Sequence, residues 1–575
     1  MQRIFAGRLE QAYREELSRL RTADAVSKMW AGQPALWSVD PVQGKLVVNR
    51  LGWISILDQM RAEAAALADL GREMDAAGLR DLVLLGMGGS VLAAEAFSRM
   101  FPHPPRRGRF LVLDSTDPES ILEVQRQIDL PRTMFVVASK SGRTIGILSQ
   151  FFYFHHRVQQ AGIRPPGSRF IAITDGSYLD QLATDYKFRR TYRKPSDIGG
   201  SYSALSYFGL VPAALWSVDV AGVLDSAMEM RVTCEPQAPA EANPALELVA
   251  LLSAATKNGA DQLVLLSTPK LVPLGHWIEY LVAKSTGKEG RGIVPVAGGT
   301  APSMGVLVKE CVTVAMTLKG EDDETLRARV AELQRAGAPV VEICLDSAVK
   351  IGGEYFKWEA ATVLSCAALG INPYDEPTVK ESKDNTARFL EGFQRSGEMA
   401  LGAPRVSEAG IEVYAGGKVR NTISTLHVAD ALRTFLSDCR PDDYVALLCY
   451  VARNANNGSD LDALRTALSE RLKLPILVSY GPRYLHSIGQ LYKGGPVRGR
   501  FVVITSQKAE DVSIPGAKYT FGQFQMAQAL GDLEALERRG KPVMRLHLTQ
   551  GAATGLRELR KAFQQALTGL RIPGN

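Results

Sequence analysis

Cysteine and histidine are scarce in this chain: 575 residues hold six Cys and seven His. Cys234, Cys311, Cys344, Cys366, Cys439 and Cys449 stand far apart. No CxxC pair or Cys/His cluster offers metal-ligand spacing, so no metal is expected. Most of these cysteines sit inside apolar runs, the pattern of buried free thiols rather than of a disulfide framework. An excess of one charge is also missing: 67 basic against 61 acidic residues leave +6 over the whole chain. The short basic clusters Arg106-Arg107 and Arg189-Arg190 are not the concentrated basic face of a nucleic-acid binder, so no nucleic-acid partner is expected.

Long apolar runs are lacking too. The longest uncharged stretch, Ile198 to Val218, could span a bilayer, but Gly199, Gly200, its serines and Pro212 favour a buried turn followed by a helix, with no membrane partner. The first residues interleave Arg3, Arg8, Arg14 and Arg19 with Glu10, Glu15 and Glu16, the pattern of neither a transit peptide nor a secretory leader; a cytoplasmic location is the expectation. No low-complexity tract or short repeat interrupts the chain. What remains is 46% apolar and 22% charged, an ordinary globular composition. The length accommodates about two to four domains.

Short runs rich in Val, Ile and Leu alternate with helix-length amphipathic segments. Strands are expected at 82–85, 110–113, 135–138 and 170–173, then at 263–266 and 340–345, and finally at 445–450, 476–480, 501–505 and 543–548. This rhythm predicts an α/β fold of parallel sheets with helices on both faces. The polar, Pro-rich stretch from Cys234 to Pro244 reads as a linker. The expected organisation is a helical N-terminal arm over 1–50, a first α/β domain over 51–230, a second over 246–400, and a C-terminal α/β unit over 401–575.

Two loops carry chemistry. Gly86-Met-Gly-Gly-Ser90 follows the strand at 82–85 and opens a helix, where Gly88 and Gly89 let the backbone approach an anion. A nicotinamide-binding fingerprint would need its third glycine at Val91, and a structural tight turn is the plainer alternative. Ser139-Lys-Ser-Gly-Arg-Thr144 follows the strand at 135–138. Three hydroxyls, from Ser139, Ser141 and Thr144, beside the N–H groups of a helix start form a cradle for a phosphate monoester, with Lys140 and Arg143 adding positive charge. The alternative is a capping serine followed by solvated basic residues.

Together these two motifs resemble the sugar-isomerase (SIS) fold of the phosphoglucose isomerase family. Gly199-Gly-Ser-Tyr-Ser-Ala-Leu-Ser206, Lys284-Ser-Thr-Gly-Lys-Glu-Gly290 and the segment from Asn372 through Lys383 are similar to further signatures of that family. Leu485-His-Ser-Ile-Gly-Gln490 is similar to the family's histidine segment, but here it follows the lysine segment instead of preceding it. That order is most similar to the isomerase half of fused transaldolase–isomerase chains. The resemblance implies a sugar phosphate of the glucose 6-phosphate/fructose 6-phosphate class as ligand, no cofactor, a homodimer and a transaldolase association. It implies ligand contacts from Gly88, Gly89, Ser90, Ser139, Lys140, Ser141 and Thr144, ring opening by His486, and an active-site role for Lys383. Taken singly, a structural histidine and a solvated lysine are the alternatives for these last two.

The departures fall on the reaction itself. The family carries a proton between C1 and C2 of the sugar with a glutamate, and Lys284 stands there; its enediolate-stabilising arginine is Ser201. A glutamine four residues before the glutamate is Tyr280, and a glutamate beyond the phosphate loop is Gly146. An unperturbed lysine has a pKa of about 10.4, so serving as a base at neutral pH needs a shift of roughly three units. The reading is a sugar-phosphate-binding family member whose usual aldose–ketose isomerase chemistry is impaired. The alternatives are an active glucose-6-phosphate isomerase of glycolysis and gluconeogenesis with a rearranged base, Glu279 or Glu289, and a sugar-phosphate-responsive regulator or transaldolase-associated scaffold.

Overall fold

A computed structural model describes residues 1–37, 40–298, 304–496 and 498–570. The chain divides into two compact units, one of residues 1–114, 125–298 and 307–375, the other of 115–124, 299–306 and 376–575. Each has its own apolar core, drawn from residues between Ala6 and Cys366 in the first and between Val406 and Leu570 in the second.

The first unit holds two five-stranded sheets. In one, Asp81–Gly86 lies between Phe110–Leu113 and Thr133–Ala138, followed outward by Phe170–Thr174 and Arg190–Arg193, all parallel. In the other, Gln262–Ser267 lies between Val294–Ala297 and Cys311–Leu318, followed by Val340–Leu345. The second unit's sheet places Tyr444–Tyr450 between Ile476–Tyr480 and Gly499–Ser506, followed by Val543–Leu548. All three therefore repeat one order, in which the chain's second parallel strand lies on one side of the first and the third and fourth on the other. The chain reverses direction across the sheet between the first and third strands, where open α/β sheets bind ligands.

Every strand expected from the sequence is present, and the fold class is α/β. Among the described residues six further strands were not legible, and three of them are antiparallel edge additions. Gln2–Phe5 pairs antiparallel with Val340–Leu345, so the stretch expected as a helical arm opens with a strand and becomes helical only from Glu10–Thr22 onward. Ile411–Ala415 pairs antiparallel with Val543–Leu548, and Val406–Glu408 with Ile411–Ala415. The stretch from Cys234 to Pro244 joins segments of one unit. The helix Pro377–Ser396, bearing Lys383, goes with the third sheet rather than with the expected 246–400 domain.

Two buried helices position the site. Ile351–Leu369 is buried nearly all round, with Tyr355 packed edge-on to Trp277 of the helix Val272–Thr286 at 4.6 Å between ring centroids. The uncharged stretch 198–218 forms a turn at Gly200–Tyr202 and the helix Tyr207–Leu215. Five cysteines are buried and Cys344 is exposed.

Candidate sugar-phosphate site

Both motif loops leave the first sheet at its reversal point. Asp81–Gly86 and Thr133–Ala138 are adjacent parallel strands, with Gly86 paired to Ala138, so their C-terminal loops emerge side by side. The first runs through Gly88, at φ +58°, into a single turn in which the Ser90 hydroxyl both accepts from the Met87 N–H and donates to the Met87 carbonyl, each at 3.0 Å. A Cβ at Gly86 would strike Val91, so Val91 closes this loop where a dinucleotide fingerprint needs a third glycine.

The second loop is braced from below. Lys140 O accepts from the Asp175 N–H at 3.2 Å and from the Thr174 hydroxyl at 3.2 Å. Gly142 takes φ +67° with its Cβ position against the Leu179 backbone, so only glycine fits the turn. Ser139 is buried, Ser141 exposed and Thr144 half-buried. The Ser139 hydroxyl donates to Thr144 Oγ1 at 3.5 Å, and Thr144 precedes the helix Ile145–Gln160 without capping it by its side chain. The first N–H groups of that helix have no acceptor within it, which suits an anion. Lys140 Nζ lies 3.9 Å from Asp175 Oδ2. Arg143 is exposed and its guanidinium stacks over Tyr178 at 5.5 Å, outside the cradle.

Sequence reasoning missed Asp175 and Lys194. Lys194 Nζ is fully buried, donates to Pro195 O at 2.6 Å and Ile198 O at 2.9 Å, and lies 3.7 Å from Asp175 Oδ2. Burial, reinforced by the charge of Lys140, pushes Lys194 down to about 7. Burial also raises the Asp175 carboxyl against the opposing pull of the two lysines. The pair anchors the stretch running to Gly199-Gly200, and the only local signal was a lysine at the end of a short polar strand.

The third wall comes from the helix Val272–Thr286. A Cβ at Gly89 would collide with the Tyr280 hydroxyl and the Gly200 carbonyl, while one at Gly200 would touch the Lys140 side chain. Ser201 Oγ donates to Tyr280 Oη at 3.1 Å, and Lys284 Nζ stands 5.4 Å from the Tyr280 ring centroid. Tyr202 Oη and Ser285 Oγ, 2.8 Å apart, tie the turn to the helix. Gly89, Gly200, Lys140, Ser201, Tyr280 and Lys284 are thus joined by a chain of direct contacts. Lys383 lies exposed on Pro377–Ser396, and His486 half-buried at the end of the turn Arg483–His486, both in the second unit.

Residues 40–290 match the phosphoglucose isomerase family model. The chain carries a phosphoglucose isomerase family domain. The glucose-6-phosphate isomerase of Methanocaldococcus jannaschii is 26% identical over 347 residues, covering 55% of this chain and 85% of that protein. The glucose-6-phosphate isomerase of Rubrobacter xylanophilus is 27% identical, covering 57% of this chain and 86% of its own length. Among solved structures, a hypothetical protein from Thermus thermophilus superposes with a TM-score of 0.56 at 22% identity, over 68% of this chain and 99% of its own. A glucose-6-phosphate isomerase from Chlamydia trachomatis superposes with a TM-score of 0.54 at 18% identity, over 67% and 86%. Both share the fold. Among the described residues no helix is long and apolar enough to cross a membrane, and no group of three or more His, Cys, Asp and Glu could hold a metal ion.

Proposed function

We propose that this protein binds a sugar phosphate of the glucose 6-phosphate/fructose 6-phosphate class on the 139–144 loop, and that the family's carboxylate–arginine isomerase route is closed to it. The observation that carries the reading is the emergence of the Gly88-Gly89 and Ser139–Thr144 loops from adjacent strands at the sheet's reversal point. The route is closed because Lys284 and Ser201 stand where the base and the electrophile are required. Of the two carboxylates that could stand in for the base, Glu279 Oε1 accepts the Ala297 N–H at 3.2 Å, and Glu289 is exposed in a turn at φ +53°.

Ligand binding stabilises the fold by about 2.7 kcal/mol at a hundred times the dissociation constant. A melting scan with millimolar glucose 6-phosphate is therefore expected to move the transition upward, and Ser139→Ala/Thr144→Ala to erase the shift. Equal shifts in both proteins would overturn the reading. That Lys383 and His486 act on the same ligand, that the chain forms a homodimer in the cytoplasm, and that a transaldolase associates with it are proposals supported by the resemblance alone. Weaker binding in Lys383→Ala and His486→Gln, light scattering, and a pull-down with purified transaldolase check them in turn.

A further inference from the structure

We propose that Asp175 and Lys194 couple sugar-phosphate binding to a proton: when the phosphate draws on Lys140, Lys194 takes up a proton from solvent and keeps Asp175 paired. The inference rests on the sugar-phosphate reading above. Asp175 Oδ2 is shared, 3.9 Å from Lys140 Nζ and 3.7 Å from Lys194 Nζ. The two lysines differ in access. The Lys140 side chain is 31% exposed on the phosphate loop, whereas that of Lys194 is wholly buried. The backbone ties the three residues together. Lys140 O accepts the Asp175 N–H, and the Lys194 N–H donates to Thr174 O at 2.9 Å, so loop, carboxylate and buried amine keep fixed places.

The hydrogen bonds of Lys194 define what its proton does. Nζ donates to the Pro195 carbonyl at 2.6 Å and to the Ile198 carbonyl at 2.9 Å. A neutral amine has two N–H groups, enough for both carbonyls. The ammonium has a third, and Asp175 is the anion beside it. Burial and the charge of Lys140 hold Lys194 at about 7, so both forms are populated near neutrality. Of the other charges acting on it, Arg50 opposes the cation and Asp197 favours it. The neighbouring Arg193 pairs with Asp180 at 2.8 Å.

A phosphate dianion on the 139–144 loop changes this balance. Its charge offsets that of Lys140, removing the repulsion, and it competes with Asp175 for the Lys140 ammonium. Asp175 then depends on Lys194, and carboxylate and dianion both favour the cationic form. The Lys194 lone pair binds one solvent proton, no bond of the ligand changes, and the proton leaves when the phosphate does. Because the bound state holds more protons, affinity falls as the pH rises above 7. A tenfold gain in the proton affinity of Lys194 on binding makes the ligand about fivefold weaker at pH 9 than at pH 7.

Calorimetric titration of the full-length chain with glucose 6-phosphate at pH 8, in Tris and in Hepes, tests this beside the melting shift. The ligand's phosphate, with a second pKa of about 6, is already a dianion there and contributes no proton. Wild type is expected to give heats that differ between the buffers in the sense of proton uptake, and an affinity about fivefold weaker at pH 9 than at pH 7. Lys194→Arg, a permanent cation, is expected to bind with equal heats in both buffers and nearly constant affinity over that range. Lys194→Gln, which cannot titrate either, is expected to bind more weakly without uptake, and it carries the test if arginine does not fit the buried site. A melting shift in wild type with equal heats in the two buffers would overturn the coupling and leave the binding reading standing; so would uptake undiminished in either variant. Absence of the melting shift in wild type would overturn both.

Discussion

In the first sheet, the strands Asp81–Gly86 and Thr133–Ala138 end side by side in short loops of glycines and hydroxyls. In the third sheet, Tyr444–Tyr450 and Gly499–Ser506 stand in the same relation, yet their ends are filled by the chain itself. Lys508, just past the second of these strands, gives its ammonium to Asp117 Oδ2 at 2.6 Å and to the Tyr450 carbonyl at 3.2 Å. Asn454, after the first, donates to Glu119 Oε1 at 3.0 Å, and the Thr116 hydroxyl donates to Gln528 Oε1 at 2.6 Å. Strand order sets where a site can lie; the residues on the strand ends decide whether it is open. At one reversal point Lys140 Nζ lies 3.9 Å from Asp175 Oδ2, and at the other Asp117 Oδ2 holds the Lys508 ammonium at 2.6 Å.

The third sheet's unit also invests its buried polar groups differently. Asp532 accepts from Lys493, from the Ser382 hydroxyl at 3.2 Å and from the Tyr484 hydroxyl at 2.6 Å, all of them buried. This network joins the helices Pro377–Ser396 and Phe521–Arg538 to the turn Arg483–His486. The largest stability effect expected therefore lies here. Asp532→Ala leaves a buried ammonium uncompensated and should cost about 3–5 kcal/mol in denaturant unfolding. Lys493→Met/Asp532→Leu should cost much less, because neither charge is left stranded. Ser139→Ala in the first sheet, by contrast, should affect ligand response far more than stability. A double variant as damaged as Asp532→Ala would show that the network's shape rather than its charge balance is what matters.

The buried titratable groups of the two regions should separate by pH. Burial, with Arg545 adding to it, pushes His547 down to about 4, and its Nδ1 lies 3.0 Å from Thr505 Oγ1. The unfolded chain binds this proton near the ordinary histidine value of about 6.5. Stability is therefore full above that value and falls as the pH drops toward 4, by about 3 kcal/mol in all. Lys194, held near 7, has the opposite window: the folded state carries its charge penalty below about 7 and sheds it toward the ordinary lysine value, so stability climbs as pH rises through that range. His547→Gln should flatten the acidic slope and leave the alkaline one, and Lys194→Met should do the reverse. Unfolding curves recorded from pH 4 to 10 check both, and either variant altering both slopes would break the separation.

Smaller effects sharpen the comparison within the first site. Gly89→Ala pushes a methyl group into the Tyr280 hydroxyl and the Gly200 carbonyl, and should cost about 1–3 kcal/mol with weakened sugar-phosphate binding. Arg143→Ala removes an exposed side chain stacked on Tyr178 and should stay within about 0.5 kcal/mol, with affinity nearly unchanged. Calorimetric titration with glucose 6-phosphate reads both. A strong loss in Arg143→Ala would return that residue to the cradle.

Legibility followed burial and locality. The central parallel strands could be read because strands buried on both faces are continuous apolar runs bounded by Gly, Ser or Asp. Arg190–Arg193, exposed at both ends, and the edge strands Gln2–Phe5 and Val406–Glu408 lack such runs, as short edge strands do. Cys311–Leu318 is central but follows the helix Met304–Glu310 directly, with no turn residue to mark its start.

The sequence by itself determined the α/β rhythm and the two motif loops, since each is a matter of residues near one another in the chain. Only the tertiary structure decided that Ser201 meets Tyr280 across 79 positions, that Lys194 anchors Asp175, and that Lys508 is taken by Asp117 across 391. The reason is geometric. A local pattern fixes the conformation of a loop, whereas the partner of its charge or hydroxyl is chosen by which distant strands and helices fold against it.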